Sequence, residues 1–155
     1  MELGGAGEKK EIGNNMKKLM FAAIAMMCAG TGAHAVVQNY DCTVKSIEQH
    51  GWMPDRVQLS FDPETGKARA YDGFIHHAHE KPIDVKFKTV RGKYRMNWRL
   101  QLPSRGSGKL RVNYTATLTP GSNELQLKAS FPMNNAANLP RGVGRCQEVK
   151  GRSLY

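Results

Sequence analysis

Residues 93–102 read KYRMNWRLQL, and apolar and polar side chains alternate through this stretch without a break. The apolar positions are Tyr94, Met96, Trp98, Leu100 and Leu102. The polar positions are Lys93, Arg95, Asn97, Arg99 and Gln101. Because successive side chains of a β-strand point to opposite faces, this period of two predicts a strand with one buried and one exposed face.

The same period continues on both sides of this stretch. It predicts strands over 38–46, 56–61, 67–75, 83–89, 93–103, 109–119, 124–131 and 142–150. Turn residues separate them, such as DPETG at 62–66 and Arg91-Gly92, and the longest break, 132–140, has room for a short helical turn. Short connections and one polar face per strand indicate an all-β antiparallel meander. Eight such strands favour a small closed barrel of the lipocalin-like type over a two-sheet sandwich.

Two cysteines lie at opposite ends of the predicted meander. Cys42 lies in the first strand and Cys146 in the last, and neither belongs to a CxxC motif or neighbours a histidine. In a meander that closes into a barrel, the first strand pairs with the last. A disulfide between these cysteines would therefore tie the barrel where it closes, and we expect one in an oxidising compartment.

The N-terminal region has the pattern of an export signal. Met16 is followed by Lys17 and Lys18, then by the apolar run LMFAAIAMM at 19–27, and the stretch ends in Ala-His-Ala at 33–35. The run is too short to span a bilayer and fits a signal peptide over 16–35, cleaved near Ala35. Residues 1–15 are polar and read as an upstream start assigned too early. We expect one periplasmic or secreted β domain over 36–155, with no second apolar span.

The net charge limits the classes of partner. Residues 36–155 hold nineteen lysines and arginines against ten carboxylates, a net charge of about +9. An exported protein does not meet cytoplasmic nucleic acid, so nucleic acid is excluded as a partner. The remaining anionic partners are lipopolysaccharide, acidic lipid headgroups, acidic polysaccharide and acidic proteins. The alternative is that the positive charge serves solubility alone.

The predicted apolar face is the first candidate binding site. Tyr94, Trp98 and Tyr114 lie on it, and tyrosine and tryptophan add a polar group to an apolar ring. An eight-stranded barrel is filled by its side chains or holds one small ligand. These residues therefore predict either a packed core or an interior site for a small apolar ligand.

The opposite face of three consecutive strands is the second candidate. Its cations are Lys86, Lys88, Lys93, Arg95, Arg99, Lys109 and Arg111. Like charges on adjacent strands repel, so their clustering costs stability. Lys86, Lys88, Arg95, Arg99 and Arg111 are therefore predicted to form an anion-binding surface, and the alternative is a solvated polar face.

The third candidate is the segment HHAHE at 76–80. In an extended segment His77 and His79 point the same way, and with Glu80 they form a candidate set of ligands for zinc, copper or nickel. A solvated loop is the alternative reading. No other cofactor is expected.

Motifs of enzymes are absent from the sequence. It contains no G-x-S-x-G, no H-E-x-x-H and no Gly-rich phosphate loop after a strand, and the predicted inner face has no paired carboxylates. We therefore expect a non-enzymatic binding protein for a small apolar ligand or an anionic envelope component. The alternatives are a structural or accessory protein, or an inhibitor, that docks to an acidic protein, and a histidine-loop metal binder.

The predicted architecture also resembles a known group of proteins. An export signal, an eight-strand meander and a first-to-last disulfide are similar to small bacterial periplasmic barrels of the lipocalin-like and lysozyme-inhibitor kind, over 38–150. The resemblance is one of architecture, and it implies a barrel without assigning a role to any residue.

Overall fold

The computed structural model describes residues 36–48, 51–103, 108–132 and 139–155. These residues form nine strands and one short helix. The elements are β1 (Gln38–Ser46), β2 (Arg56–Phe61), β3 (Ala68–Asp72), α1 (Gly73–His79), β4 (Ile83–Asp84), β5 (Lys86–Val90), β6 (Lys93–Pro103), β7 (Lys109–Thr119), β8 (Glu124–Ser130) and β9 (Arg141–Glu148). The predicted signal peptide, the segment before it and most of the predicted helical turn at 132–140 lie outside the described residues. In the described part of the chain, no helix has the length and apolar character needed to cross a membrane.

All nine strands belong to one antiparallel sheet, in the order β4-β3-β2-β1-β9-β8-β7-β6-β5. Its two ends are β4 and β5, which follow each other in the chain and are separated by Val85 alone. β4 pairs with β3 and β5 pairs with β6, while the Val85 N–H donates to the Ala68 carbonyl at 2.9 Å. One bent segment therefore joins both ends of the sheet, which forms a nearly closed barrel. The prediction of a barrel is confirmed.

The first and last strands meet as predicted. Cys42 on β1 lies directly opposite Cys146 on β9, and the two form a disulfide. Gly144, two residues before Cys146, approaches β1 so closely that a Cβ atom there would meet the Thr43 carbonyl oxygen. The strands pack side by side here without room for another side chain.

The segment after β3 departs from the prediction. A strand was expected over 67–75, but β3 ends at Asp72 and α1 begins at Gly73. The Asp72 side chain caps the helix, because its Oδ1 accepts a hydrogen bond of 2.8 Å from the Ile75 N–H. At the other end Glu80 adopts φ +58° and donates its N–H to the His76 carbonyl. Capping thus overrides an alternation that also fits a short strand.

The interior is packed with the apolar side chains that alternate along the strands. One aromatic cluster surrounds Phe61, which lies 5.6 Å from Tyr40, 5.2 Å from Phe87 and 4.9 Å from Tyr94, measured between ring centroids. A second cluster lies nearer to α1, which supplies the fully buried Ile75. These contacts fill the barrel from the side chains of both β1–β4 and β5–β9.

Candidate functional site

The three predicted interior residues lie inside the barrel and are engaged with other rings. Trp98 stacks on Tyr114 with 5.6 Å between the ring centroids, and Phe74 of α1 lies 6.1 Å from the same tyrosine. The Tyr114 hydroxyl donates a hydrogen bond of 3.0 Å to the Trp52 carbonyl. Tyr94 belongs to the cluster around Phe61. The two best-defined pockets in the described part of the chain are lined mainly by residues of the outer face.

One carboxyl group, that of Asp72, is buried near Tyr114. Asp72 is 4% exposed, and within the described residues its Oδ2 has no hydrogen-bond partner. Burial raises the pKa of Asp72 to about 6, although the N–H groups at the start of α1 act in the opposite direction. The pKa of Tyr114 is raised by burial and by the nearby Asp72 charge. Asp72 was not among the predicted site residues, because it lay within a predicted strand, and its one signal in the sequence is that aspartate is a residue type that caps helices.

The histidine segment is helical, so the expectation of an extended segment is wrong. His77 and His79 are exposed and lie two positions apart on α1, where residues two apart do not share a face. His76 contacts the Tyr71 hydroxyl, with 2.6 Å between the hydroxyl oxygen and Nδ1. Among the described residues, no group of three or more histidine, cysteine or acidic side chains is placed to hold a metal ion. Metal binding through His77, His79 and Glu80 stays a prediction.

The predicted basic face lies on the outside of β5, β6 and β7, with its cations exposed or half-buried. Most of them face a neutral residue on the neighbouring strand. The register pairs are Lys86 with Asn97, Arg95 with Thr117, Arg99 with Asn113 and Arg111 with Gln101. Lys88 and Arg95 stand directly opposite each other as two cations. The face is therefore a chequered surface of charge and polar neutral groups.

One part of this face is recessed and forms a groove of about 550 Å³, which we call the cationic groove. Its lining residues are Val90, Arg91, Lys93, Arg95, Thr115, Thr117, Gln126 and Lys128. They come from β5, the β5–β6 turn, β6, β7 and β8. Arg91 and Gly92 both have positive φ, which makes the turn a tight two-residue hairpin and brings Arg91 to the groove.

The cations of the groove have no counter-charge within the described residues. The described residues form four ion pairs: Arg56–Asp41, Arg69–Asp84, Arg141–Glu48 and Arg145–Glu124. None of them involves Arg91, Lys93, Arg95 or Lys128, and no carboxylate lines the groove. The Arg95 Nε atom is buried and has no hydrogen-bond partner in the same set of residues. The groove thus concentrates positive charge and one unpaired donor.

Of the five cations predicted to bind anions, the structure places Arg95 in the groove. Lys86, Lys88, Arg99 and Arg111 lie on the same face outside its lining. The predicted basic face left out Lys128, because it comprised three strands and not the fourth, where Lys128 alternates with Leu127 and Ala129. It also left out the neutral groups Thr115, Thr117 and Gln126, which separate the cations.

The arrangement suits the binding of a negatively charged group from solvent, since several donors converge on one recess that no carboxylate occupies. Comparison of the chain with known proteins finds no matching family model, no matching curated protein and no matching solved structure.

Proposed function

We propose that this chain is a non-enzymatic, exported binding protein whose cationic groove holds an anionic component of the cell envelope. The observation that carries the proposal is the convergence of Arg91, Lys93, Arg95 and Lys128 on one recess without a carboxylate. Such convergence raises the energy of the unliganded protein through repulsion, and an anionic ligand removes that cost.

The Arg95 side chain supports the proposal further. A guanidinium Nε–H that is buried without a partner costs free energy, because it has lost water and gained nothing. If the Arg95 side chain turned so that this N–H faced the groove, an anionic oxygen there would accept a charge-assisted hydrogen bond from it. Lys88, directly opposite on β5, raises the local positive potential around it.

The interior is less favoured as a ligand site, although the buried Trp98 Nε1 has no hydrogen-bond partner among the described residues. Trp98 and Tyr114 stack on each other, and Phe74 lies against the same tyrosine ring. Contacts between these rings occupy interior space that a small apolar ligand would otherwise need. We therefore assign binding to the outer surface of β5–β8.

A charge-neutralisation experiment tests the proposal. The disulfide-bonded protein is titrated with polygalacturonate and with polyphosphate at 0.05 M and 0.2 M NaCl, by calorimetry. We expect both polyanions to bind and the higher salt to weaken binding, because exposed charges are screened. The double variant Arg95→Gln/Lys128→Gln should lose affinity by about tenfold or more, since each substitution removes a charged contact.

The matched control is Lys45→Gln/Lys67→Gln. It removes the same net charge from exposed positions on β1 and the β2–β3 hairpin, away from the groove. We expect it to change affinity by less than about twofold, the size of a screened long-range effect. Equal losses in both double variants, or no binding of any polyanion, would show that the groove is not a binding site.

A further inference from the structure

The floor of the cationic groove differs chemically from its walls. Arg95 and Lys93 on β6 form one wall, and Lys128 on β8 forms the other. The neutral polar residues of the lining, which we call the floor, are Thr115 and Thr117 on β7 and Gln126, which lies beside Lys128 on β8. β6 and β8 are separated by two strand spacings, or about 9–10 Å. The cations therefore stand in two rows, one on either side of the threonines of β7.

The floor is polar and uncharged. In the register of the sheet, Thr117 lies directly between Arg95 and Gln126, while Thr115 lies beside Lys128. Thr115 donates its hydroxyl to Asn97 Oδ1 at 2.8 Å and keeps its oxygen lone pairs as acceptors. Among the described residues, the side chains of Thr117 and Gln126 make no hydrogen bond. The floor therefore offers hydroxyl and amide groups, both donors and acceptors, to a ligand.

A ligand that satisfies walls and floor together needs acidic groups and neutral hydroxyls along one chain. A small inorganic anion meets one or two of the cations and leaves the floor to water. A lipid bilayer calls for apolar side chains beside the cations, which enter the interface. The groove has one apolar lining residue, the half-buried Val90, and the exposed Val143 on β9 lies opposite the lining residue Gln126. The other exposed large apolar side chains of the described residues, Val36, Ile47, Leu139 and Tyr155, do not line the groove, so few apolar groups stand beside the cations.

We infer that the ligand of the cationic groove is an acidic polysaccharide. Its acidic groups lie on Arg91, Lys93, Arg95 and Lys128, and its neutral hydroxyls bond to the Thr117 hydroxyl and the Gln126 amide. This inference rests on the function proposed above and names the class of ligand. It distinguishes a sugar polymer from other polyanions through the uncharged floor.

The test removes the floor and leaves the charges in place. In the variant Thr117→Val/Gln126→Leu, the polar groups are replaced by apolar groups of similar size. We expect about a three- to tenfold loss of affinity for polygalacturonate, the effect of removing neutral hydrogen bonds. Affinity for polyphosphate, an anionic chain without hydroxyls, should change by less than about twofold, because the floor contributes little to it. Vesicles of phosphatidylglycerol should show no such dependence on the floor.

Two further variants test whether the loss of affinity comes from the hydroxyl group or from a change in structure. Thr117→Ser keeps a hydroxyl and should retain the affinity for polygalacturonate, whereas a merely structural effect of residue 117 would weaken binding of both polymers. Thr43→Val, on the exposed face of β1, is the matched control and should alter neither. Melting temperatures and circular dichroism check that each variant is folded.

The outcomes separate the two proposals. If the floor variant weakens polyphosphate as much as polygalacturonate, or weakens neither, the polysaccharide inference is wrong while anion binding by the groove stands. Tighter binding to phosphatidylglycerol vesicles than to polygalacturonate would also overturn the inference and favour a membrane surface. If no polyanion binds to the unaltered protein, the proposed function itself fails.

Discussion

The wall of the barrel consists of two halves that pack alike and differ in charge. Residues 36–84, which include β1–β4, hold eight carboxylates and five lysines or arginines. Residues 85–155, which include β5–β9, hold two carboxylates and fourteen lysines or arginines. The apolar packing is alike in both halves, since Leu59 of the first and Leu127 of the second are both at most 1% exposed, while the buried carboxyl groups, Asp62 and Asp72, belong to the first half.

This difference shows that the fold does not dictate the charge. Burial constrains the inward positions of both halves in the same way, and the outward positions are free to vary. A surface that served solubility alone would need no such segregation, because net charge acts wherever it is placed. The segregation, together with the groove on β5–β8, is what favours a binding role for the basic half.

The largest expected effect lies at the seam where the halves meet, between β1 and β9. The double variant Cys42→Ser/Cys146→Ser removes a cross-link that spans 104 residues. We expect the free energy of unfolding to fall by about 4–5 kcal/mol, because the unfolded chain regains the entropy of that long loop. Urea unfolding of the variant and the oxidised protein measures the loss. A loss under about 1 kcal/mol would mean that the halves hold together without the cross-link.

The buried carboxyl group of the acidic half gives the next effect. Below its ordinary pKa near 3.8, Asp72 is protonated in the folded and the unfolded states, so its stabilising contribution is fully present. As the pH rises through the folded pKa of about 6, that contribution is lost, up to about 3 kcal/mol, because the folded state must bury a charge. Asp72→Asn keeps the helix-capping oxygen and removes this dependence. Thermal unfolding at pH 3 and pH 7.5 should show nearly equal stability at the lower pH and a more stable variant at the higher pH.

The packing of the seam is tested by a single methyl group. Gly144→Ala places a Cβ against the Thr43 carbonyl oxygen, so the strands must separate, and we expect a loss of about 1–3 kcal/mol in the free energy of unfolding. Gly108→Ala is the matched control, since a Cβ there meets no atom of the described residues within 4 Å. Chemical unfolding compares the two variants. Equal stabilities would contradict the close approach of β1 and β9.

The smallest expected effect on stability comes from single charges on the surfaces of the two halves. Lys88→Gln removes one of two cations that face each other across β5 and β6, and we expect a gain of a few tenths of a kcal/mol. The gain should shrink as NaCl is raised, because salt already screens the repulsion. Arg56→Gln breaks an ion pair with Asp41 and should destabilise the protein, so the same loss of charge acts in opposite directions in the two halves. Melting temperatures in low and high salt measure both.

Much of the fold could be predicted because alternation runs through long segments. β6 and β7 each contain eleven residues, and over that length a period of two is distinct from a helical period. The segment after β3 is too short for this distinction, since Tyr71, Gly73 and Ile75 fit a strand while Asp72 fits a helix cap. The predicted strand 83–89 is divided at Val85 into β4 and β5, which pair with different strands. The alternation of apolar and polar residues continues through Val85, so the local sequence does not indicate this division.

The candidate site could be predicted in part. The outward cations of β5–β7 follow from alternation, and so does Lys128 once β8 is included. The recess itself depends on how four strands curve and on the positive φ of Arg91, which are properties of the assembled sheet. The contrast of charge between 36–84 and 85–155 is visible in the sequence, and it is the signal that points to the second half of the chain.

The pairing of β1 with β9 also sets the order in which the protein can be completed. The chain is made from its N-terminus, so β1 is present long before its partner, while β5–β8 form from neighbours along the chain. We expect the hairpins of the basic half to assemble locally and the β1–β9 contact, with its large sequence separation, to come last. Formation of the Cys42–Cys146 disulfide therefore indicates that the barrel is complete, because the two cysteines meet only when β9 has paired with β1.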